Sequence, residues 1–359
     1  MRQAEKTSAP VAADEIFLST EMVEPGLRND LWREVSRPFF ETTQYPGDAE
    51  MRLEGSIRSR AIGALLIGPT SFNQQQYSRD RRAILRGGLE QYFIQLFVAG
   101  RLEADCEGRA ISVGPGDICV FDLSRTFRSR VRTGSTLSLV VPRERVDKAA
   151  GGRNLHGLVL KAGAPITRIL TDFVVSLSDV SAEMDSADTL AIEDAAIALI
   201  ASGLARHAPE TSLHDPALTG VLRRRVLEFI EANLSGLQLG PDLLTQRFRV
   251  SRAHLYRIFA ADGGVATIIR EKRLDASFRE LARPGGPSRS ITQIAHEQGF
   301  SSSAQFHRAF RARFGMAPGE ARDAAAARPL ADQRLAHVQT HFARYAQQLG
   351  ANRHREVAG

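Results

Sequence analysis

The chain carries one helical pattern twice near its carboxyl end. When the sequence is shifted by 51 residues, residues 243–266 lie over residues 294–317 without a gap. A repeated amphipathic unit predicts two copies of one helical motif, each of which buries the same face. The matched pairs are Leu243 and Ile294, Leu244 and Ala295, Ser251 and Ser302, Leu255 and Phe306, Arg257 and Arg308, Phe259 and Phe310, Gly264 and Gly315, and Ala266 and Ala317.

Signals for helix starts divide each copy into two short helices. Polar side chains that cap a helix, and Pro in its first turn, mark where a helix begins. We therefore predict two helix-turn-helix units, at about 240–262 and about 290–313. The signals are Ser290 with Gln293 and Ser302 with Gln305 as capping boxes, Pro241 in a first turn and Ser251 as an N-cap.

Positive charge is concentrated in the block that contains the repeat. Between Arg223 and Asp323 there are 17 Lys and Arg residues against 10 Asp and Glu residues, while the whole chain of 359 residues carries a formal net charge of +6. The rest of the chain is therefore close to neutral. A basic block beside a neutral body indicates an anionic partner, although an Arg-rich surface without a partner has the same balance.

Each repeated unit combines a tight helical corner with arginine on its second helix. In the second unit, Phe306 and Phe310 are one turn apart and face the core, so Arg308 points away from it. A projecting second helix can enter the major groove of DNA, where arginine bonds guanine edges or phosphates. The alternative is a pair of helical hairpins that pack for stability alone.

Residues 218–325 resemble the DNA-binding domain of the AraC/XylS family of transcription regulators. The resemblance rests on "SITQIAHEQGFSSSAQFHRAFRARFGMAP", "GPDLLTQRFRVSRAHLYRIF" and "IIREKRL". One departure is Ala321, since the family has an aromatic residue soon after the preceding Pro, and this leaves the packing of the last helix open. The resemblance implies a connector helix over 267–282 that sets the two recognition helices about one DNA turn apart, roughly 34 Å. It implies as base readers Arg252, Ala253, Tyr256, Arg257, Ser303, Ala304, Gln305, His307 and Arg308.

The amino-terminal part has the sequence pattern of an antiparallel β domain. Short β-like runs follow one another over residues 57–142, and residues 114–117 predict a tight turn between two of them. Alternation in the run "EQYFIQLFVAG" places on one face Tyr92, Ile94, Leu96 and Val98. The stretch "LFVAGRLEADCEGRAISVGPGDICVFD" resembles the cupin-like sensor domain of the same family, which implies a jelly roll that holds a small effector.

The same resemblance suggests an aromatic or carboxylate effector. Four phenylalanines are candidates for the lining of the jelly roll, and ordinary core packing is the alternative for each: Phe93, Phe97, Phe121 and Phe127. Four arginines, among them Arg82, could pair with an anionic effector or form a solvated face: Arg79, Arg81, Arg82 and Arg86. Since the nine histidines begin at His156, no His-ligated metal centre is expected in the barrel, and no cofactor is predicted.

Changes in the sequence pattern along the chain suggest where its domains begin and end. We expect an α+β protein with a disordered lead-in (1–14), a cupin-like sensor (15–163), dimerisation helices (164–207), a linker (208–217), the DNA-binding domain (218–325) and a helical tail (326–359). The first of these helices has an apolar stripe that could form a dimer or dock on its own barrel: Ile169, Phe173, Val174 and Leu177.

The remaining features favour a cytoplasmic regulator. Cys106 and Cys119 are too few for a disulfide framework and are expected to be buried, and neither a signal peptide nor a membrane span is expected. The leading hypothesis is an effector-responsive, homodimeric activator that binds double-stranded DNA and RNA polymerase and is not an enzyme. The alternatives are a ligand-independent DNA-binding protein and a cupin-type enzyme, which the absent histidines disfavour.

Overall fold

The computed structural model describes residues 15–45, 51–151, 153–208, 216–283 and 289–326. The described residues up to 208 and those from 216 onward form two separate compact units. The predictions of a disordered lead-in, of most of the linker and of the tail helix lie outside the described residues.

Across the described ranges the chain forms twelve strands and twelve α-helices. The strands are β1 (Glu15–Ser19), β2 (Glu41–Gln44), β3 (Gly55–Ile62), β4 (Leu65–Phe72), β5 (Gln75–Arg79), β6 (Gln91–Ala99), β7 (Leu102–Cys106), β8 (Arg109–Val113), β9 (Ile118–Asp122), β10 (Phe127–Val131), β11 (Gly134–Pro142) and β12 (Leu158–Leu160). The helices are α1 (Arg28–Ser36), α2 (Arg81–Gly87), α3 (Arg143–Ala149), α4 (Pro165–Val180), α5 (Ser186–Ala205), α6 (Pro216–Ala232), α7 (Pro241–Phe248), α8 (Arg252–Ile258), α9 (Val265–Leu281), α10 (Ile291–Glu297), α11 (Ser303–Phe314) and α12 (Pro318–Ala326).

The amino-terminal unit is built from two antiparallel sheets. One has the strand order β1-β3-β4-β11-β6-β9-β12, and the other has the order β2-β5-β10-β7-β8. The inward faces enclose one apolar core, to which α1 contributes Leu31, Trp32 and Val35. Two-residue alternation divides β6 between faces, so that Phe93 and Phe97 point into this core. The expected antiparallel sandwich is present.

The alternating stripe on β6 faces the opposite way, toward helices. Tyr92, Ile94 and Leu96 belong to a second core that α4 and α5 cover from outside the larger sheet. Val98 was predicted to share a face with these residues, and its side chain is 60% exposed, since it lies near the end of the strand. The sandwich is therefore three layers deep at this point.

Helix α4 docks on its own chain. Leu170, Val174 and Leu177 are buried in the second core, and Phe173 packs at its edge. The structure contradicts only the inclusion of Ile169 in the stripe, because its side chain is 54% exposed. The 3.6-residue period instead brings Leu170 to the buried face.

Two local features position the strands. In the expected turn at residues 114–117, the Asp117 carboxylate accepts hydrogen bonds from the Gly114 and Ala162 amides, each at 3.0 Å. Cys106 and Cys119 are buried free thiols, as expected. The run "AIGALLIG" is a hairpin rather than one strand, because Gly63 takes a positive φ of 56° between β3 and β4.

The carboxyl-terminal unit is wholly helical over its described residues. Helices α6 to α9 share a core that includes Val226, Leu244, Leu255 and Phe259. Phe278 of α9 stacks on Phe310 of α11, with ring centroids 6.1 Å apart. The last helix forms despite the departure from the family pattern, and Ala321 is buried.

Candidate nucleic-acid interface and inter-sheet cavity

The first helix-turn-helix unit consists of α7 and α8. Pro241 occupies the first turn of α7, and Arg249 ends that helix in the left-handed conformation at a φ of 53°. The Ser251 side chain caps α8 by accepting a hydrogen bond from the His254 amide at 3.1 Å. Both predicted start signals are confirmed.

The second unit consists of α10 and α11. Ser290 and Gln293 form the complete capping box, and Gly299 makes the corner with a φ of 78°. Ser302 caps α11 by accepting from the Gln305 amide at 3.3 Å. Of the two boxes predicted, only the one at Ser290 shows the reciprocal side-chain bond in the described structure, so Ser302 is a simple N-cap.

The two units are not related by one ungapped shift. The N-caps Gly240 and Ser290 differ by 50 positions, as do the left-handed corners Arg249 and Gly299. The second helices keep the predicted shift of 51, from the N-cap Ser251 to the N-cap Ser302. The alignment of Leu243 with Ile294 was therefore wrong, because the second corner contains one more residue. Leu244 and Ile294 are the equivalent buried residues.

The residues predicted to read bases lie on the outward faces of α8 and α11. Leu255 and Phe259, and Phe306 and Phe310, are fully buried beneath them. Ser303 is half-buried, and the other eight are exposed: Arg252, Ala253, Tyr256, Arg257, Ala304, Gln305, His307 and Arg308. Tyr256, at 48% exposure, is the large aromatic side chain of this surface.

The three arginines of this surface differ in what they contact. Arg252 is ion-paired with Asp242 of α7, which also raises the pKa of its guanidinium. Arg257 donates to Nδ1 of His254 at 2.9 Å on the same helix. Within the described ranges Arg308 has no hydrogen bond or ion pair. Its guanidinium is therefore the one whose donors are most available to a ligand.

Two other arginines of the basic block are structural, and the sequence interpretation missed their roles. Arg313 bonds Asp275 at 2.7 Å and Glu271 at 2.8 Å, which ties α11 to α9. Arg273 of α9 donates to the carbonyls of Leu234 and Gly299, each at 3.0 Å. Their positions at the half-buried edge of helical stripes are the signal that could have separated them from groove-facing arginines.

The amino-terminal unit contains a cavity of about 60 Å³ between its two sheets. Phe39, Phe40, Tyr77 and Phe93 supply its aromatic wall, and Gln95 and Ser138 supply polar groups. Of the four phenylalanines predicted as lining, Phe93 borders the cavity, while three pack elsewhere in the inter-sheet core: Phe97, Phe121 and Phe127. Phe121 and Phe127 stack on each other with centroids 4.5 Å apart.

The arginines considered for an anionic effector do not line this cavity. Arg82 bonds the Asp80 carboxylate at 2.7 Å, and Arg86 bonds Glu41 at 3.3 Å. Arg79 is fully buried and donates to the carbonyls of Leu123 and Pro38 at 2.7 and 3.0 Å. Burial lowers the pKa of its guanidinium to about 10. It holds the end of β5 against neighbouring loops.

Comparison with known families matches both units. A model described as a helix-turn-helix domain matches residues 244–324, and a model described as an AraC-binding-like domain matches residues 32–205. Together the two matched ranges span well over half of the chain. The chain belongs to the AraC/XylS family. Its two-sheet amino-terminal domain and its helical carboxyl-terminal domain are the parts of the AraC-like fold.

Individual relatives of this AraC/XylS protein are distant. The XylDLEGF operon transcriptional activator 1 of Pseudomonas putida is 30% identical over 98 residues, which are 27% of this chain and 29% of the relative. Another XylDLEGF operon transcriptional activator of the same organism is 32% identical over 98 residues, 30% of its length. The chain thus spans less than a third of these relatives.

A solved structure supports the fold. The AraC-like transcriptional activator CuxR superposes with a TM-score of 0.51 at 20% identity, covering 72% of this chain and 93% of that one. At this identity the likeness concerns the fold alone.

Two features are absent from the described residues of the chain. None of the helices there has the length and apolar character needed to cross a bilayer. No group of three or more His, Cys, Asp or Glu side chains in the same ranges is placed to hold a metal ion.

Proposed function

We propose that the protein is a transcription regulator that reads two successive major-groove segments of double-stranded DNA with α8 and α11. The observation that carries the proposal is the paired presentation of these helices, each capped, buried on one face and polar on the other. Arg308 is the strongest candidate base reader, because its donors are unused by the described chain. The other eight predicted readers remain candidates on the same surface.

The resemblance favours an activator that responds to a small effector in the amino-terminal domain. By the same reasoning we propose that the protein has a regulatory rather than a catalytic role and works in the cytoplasm, where it meets DNA. We also propose RNA polymerase as a partner and a homodimer as the functional form. An effector can act only if it binds one arrangement of the protein more tightly than another. A DNA-binding protein without an effector is the second candidate, and ligand binding distinguishes the two.

The test of DNA reading is Arg308→Ala in the full chain. Duplexes selected from a random pool with the unaltered protein serve as targets. We expect the substitution to weaken binding to the selected duplex by about 1–3 kcal/mol, because a bidentate base contact is lost. Titration at fixed ionic strength measures the change.

The matched control is Arg224→Ala on α6, which removes the same charge from an exposed side chain. It should change affinity much less. Equal losses for both variants would show a general charge effect, and unchanged affinity for Arg308→Ala would overturn the assignment of this arginine.

A further inference from the structure

Apart from Arg58, the polar groups that line the cavity between the sheets are neutral. Alternation on β6 and β11 turns Gln95 and Ser138 inward among apolar side chains. Tyr77 of β5 borders the same space. Gln95 is a half-buried amide in the mostly apolar strand "QYFIQLFVA", where a polar group is costly unless it is hydrogen-bonded.

The amide of Gln95 is poorly satisfied by the protein. Its Nε2 lies 3.5 Å from both Thr136 Oγ1 and Ser138 Oγ, the far limit of a hydrogen bond. Its Oε1 accepts no hydrogen bond from the described chain. The group can therefore donate to a ligand and accept from it at little cost in existing bonds.

The hydroxyl of Tyr77 is also available. The side chain is 9% exposed, and its ring lies 4.2 Å from that of Phe40. No described residue hydrogen-bonds this hydroxyl. Burial raises the pKa of the phenol far above its usual value, so the group stays neutral and can donate.

Among the described residues that line this cavity, no positive charge is free to meet an anion. Arg58 borders it, yet its guanidinium is bonded to Glu15 at 2.6 Å and lies over the Phe17 ring. Phe17 and Arg58 are register partners on β1 and β3, and both are exposed on the outer face. Placing a carboxylate in the cavity would leave its charge unpaired, which is strongly unfavourable.

We propose that this cavity binds a small uncharged, mostly apolar molecule whose amide or hydroxyl group pairs with Gln95 and Tyr77. The proposal rests on the proposed function, since it names the chemical class of the effector. It replaces the carboxylate that the family resemblance suggested with a neutral polar group.

The size of the cavity limits the ligand to a small molecule. Its volume is about 60 Å³, which is smaller than the roughly 150 Å³ of a dry cavity that takes up benzene. A ligand with one ring therefore fits only if the side chains around the cavity move apart when it binds. The aromatic wall of Phe39, Phe40 and Phe93 offers matching apolar surface.

Matched probes test the charge requirement on the full chain. Benzamide, benzyl alcohol, toluene and benzoate have one ring each and differ in the polar group. Calorimetric titration at millimolar probe should show that the amide and the alcohol bind at least about tenfold more tightly than benzoate. Failure of both neutral polar probes to bind, or tighter binding of benzoate, overturns the proposal.

Three variants locate the contact. Tyr77→Phe and Gln95→Leu should each weaken benzamide binding by about five- to tenfold, while toluene binding changes little. Tyr77→Phe removes a single oxygen and so keeps the test usable if Gln95→Leu does not fold. Arg82→Ala, outside the cavity, should have no effect. Loss of binding in Arg82→Ala alone would instead place the ligand at the α2 surface and overturn the proposal.

Binding of the selected duplex, measured on the same preparations, separates the two claims. If the duplex binds and the neutral probes do not, the ligand class is wrong and the DNA-binding function stands. If the probes bind and no duplex does, the proposed function fails while the cavity chemistry stands.

Discussion

At the scale of single residues, burial decides which role a side chain takes. His156 lies in the candidate β domain and is 2% exposed. Its Nδ1 accepts from the Asp122 amide at 3.1 Å, and its Nε2 donates to the Thr126 carbonyl at 3.2 Å. Both nitrogens are used by the neutral ring. Burial, and then the charge of Arg125, lower the pKa of His156, which Asp122 and Glu107 only partly offset.

This lowered pKa predicts a loss of stability in mild acid. The unfolded chain binds a proton at about pH 6.5, where the folded His156 does not, so the free energy of unfolding falls as pH drops below about 6.5. Denaturant titrations at about pH 7.5 and about pH 5.5 measure the change. The fluorescence of the single tryptophan, Trp32, reports on this unit.

His156→Gln should flatten the pH dependence in that window, because the titrating group is removed. His207→Gln, on an exposed side chain, is the control and should retain the full dependence. An unchanged dependence in His156→Gln would assign the acid sensitivity to another group.

At the scale of elements, α9 is held by contacts to both helix-turn-helix units. It shares a core with α7 and α8 through Val265, Ile268 and Ile269. The ion pair between Arg313 and Asp275 and the ring stacking of Phe278 hold α11 against the carboxyl-terminal half of α9. The sequence predicted a connector over 267–282, and the helix occupies 265–281. The extra corner residue of the second unit was missed because the strong match of the second helices hid it.

Arg313→Met tests this attachment. The substitution removes the Arg313 ion pair from the carboxylate of Asp275, which is 2% exposed. We expect it to destabilise the carboxyl-terminal unit by about 3–5 kcal/mol. Thermal unfolding followed by helical circular dichroism measures the loss.

Arg311→Met on the same helix is the control. Its side chain is exposed, so stability should change by no more than about 0.5 kcal/mol. Similar small effects for both substitutions would show that the Arg313 pair contributes little.

At the scale of the whole molecule, the proposed effector binding and the proposed DNA binding belong to separate units. The two-sheet unit encloses the cavity, and the helical unit presents α8 and α11. Arg273, through the carbonyls of Leu234 and Gly299, joins the approaches to both recognition helices. We expect the two helices to meet DNA as one rigid body rather than as two tethered modules.

If α8 and α11 form a rigid pair, DNA binding should not tolerate a change in the spacing of the two DNA segments that they contact. Inserting about five or about ten base pairs between the two segments of a selected duplex moves one segment by half a turn or a full turn. Either insertion should reduce affinity to that of one segment alone. Full affinity with the ten-pair insertion would instead indicate a flexible connection.

The order of the amino acids was enough to predict the class of the protein and its pair of helix-turn-helix units. These follow from local signals, namely caps, glycine corners and the spacing of buried aromatics, which neighbouring residues carry. The arginines that remain available are seen only in the folded chain: Arg308 is unpaired within the described residues, whereas Arg313 and Arg79 are bonded to partners 38 and 44 positions away. The folded structure also shows that Gln95 faces the cavity, whereas Arg79, Arg82 and Arg86 bond carbonyls or carboxylates elsewhere. Contacts of that kind join distant segments, so no local pattern encodes them.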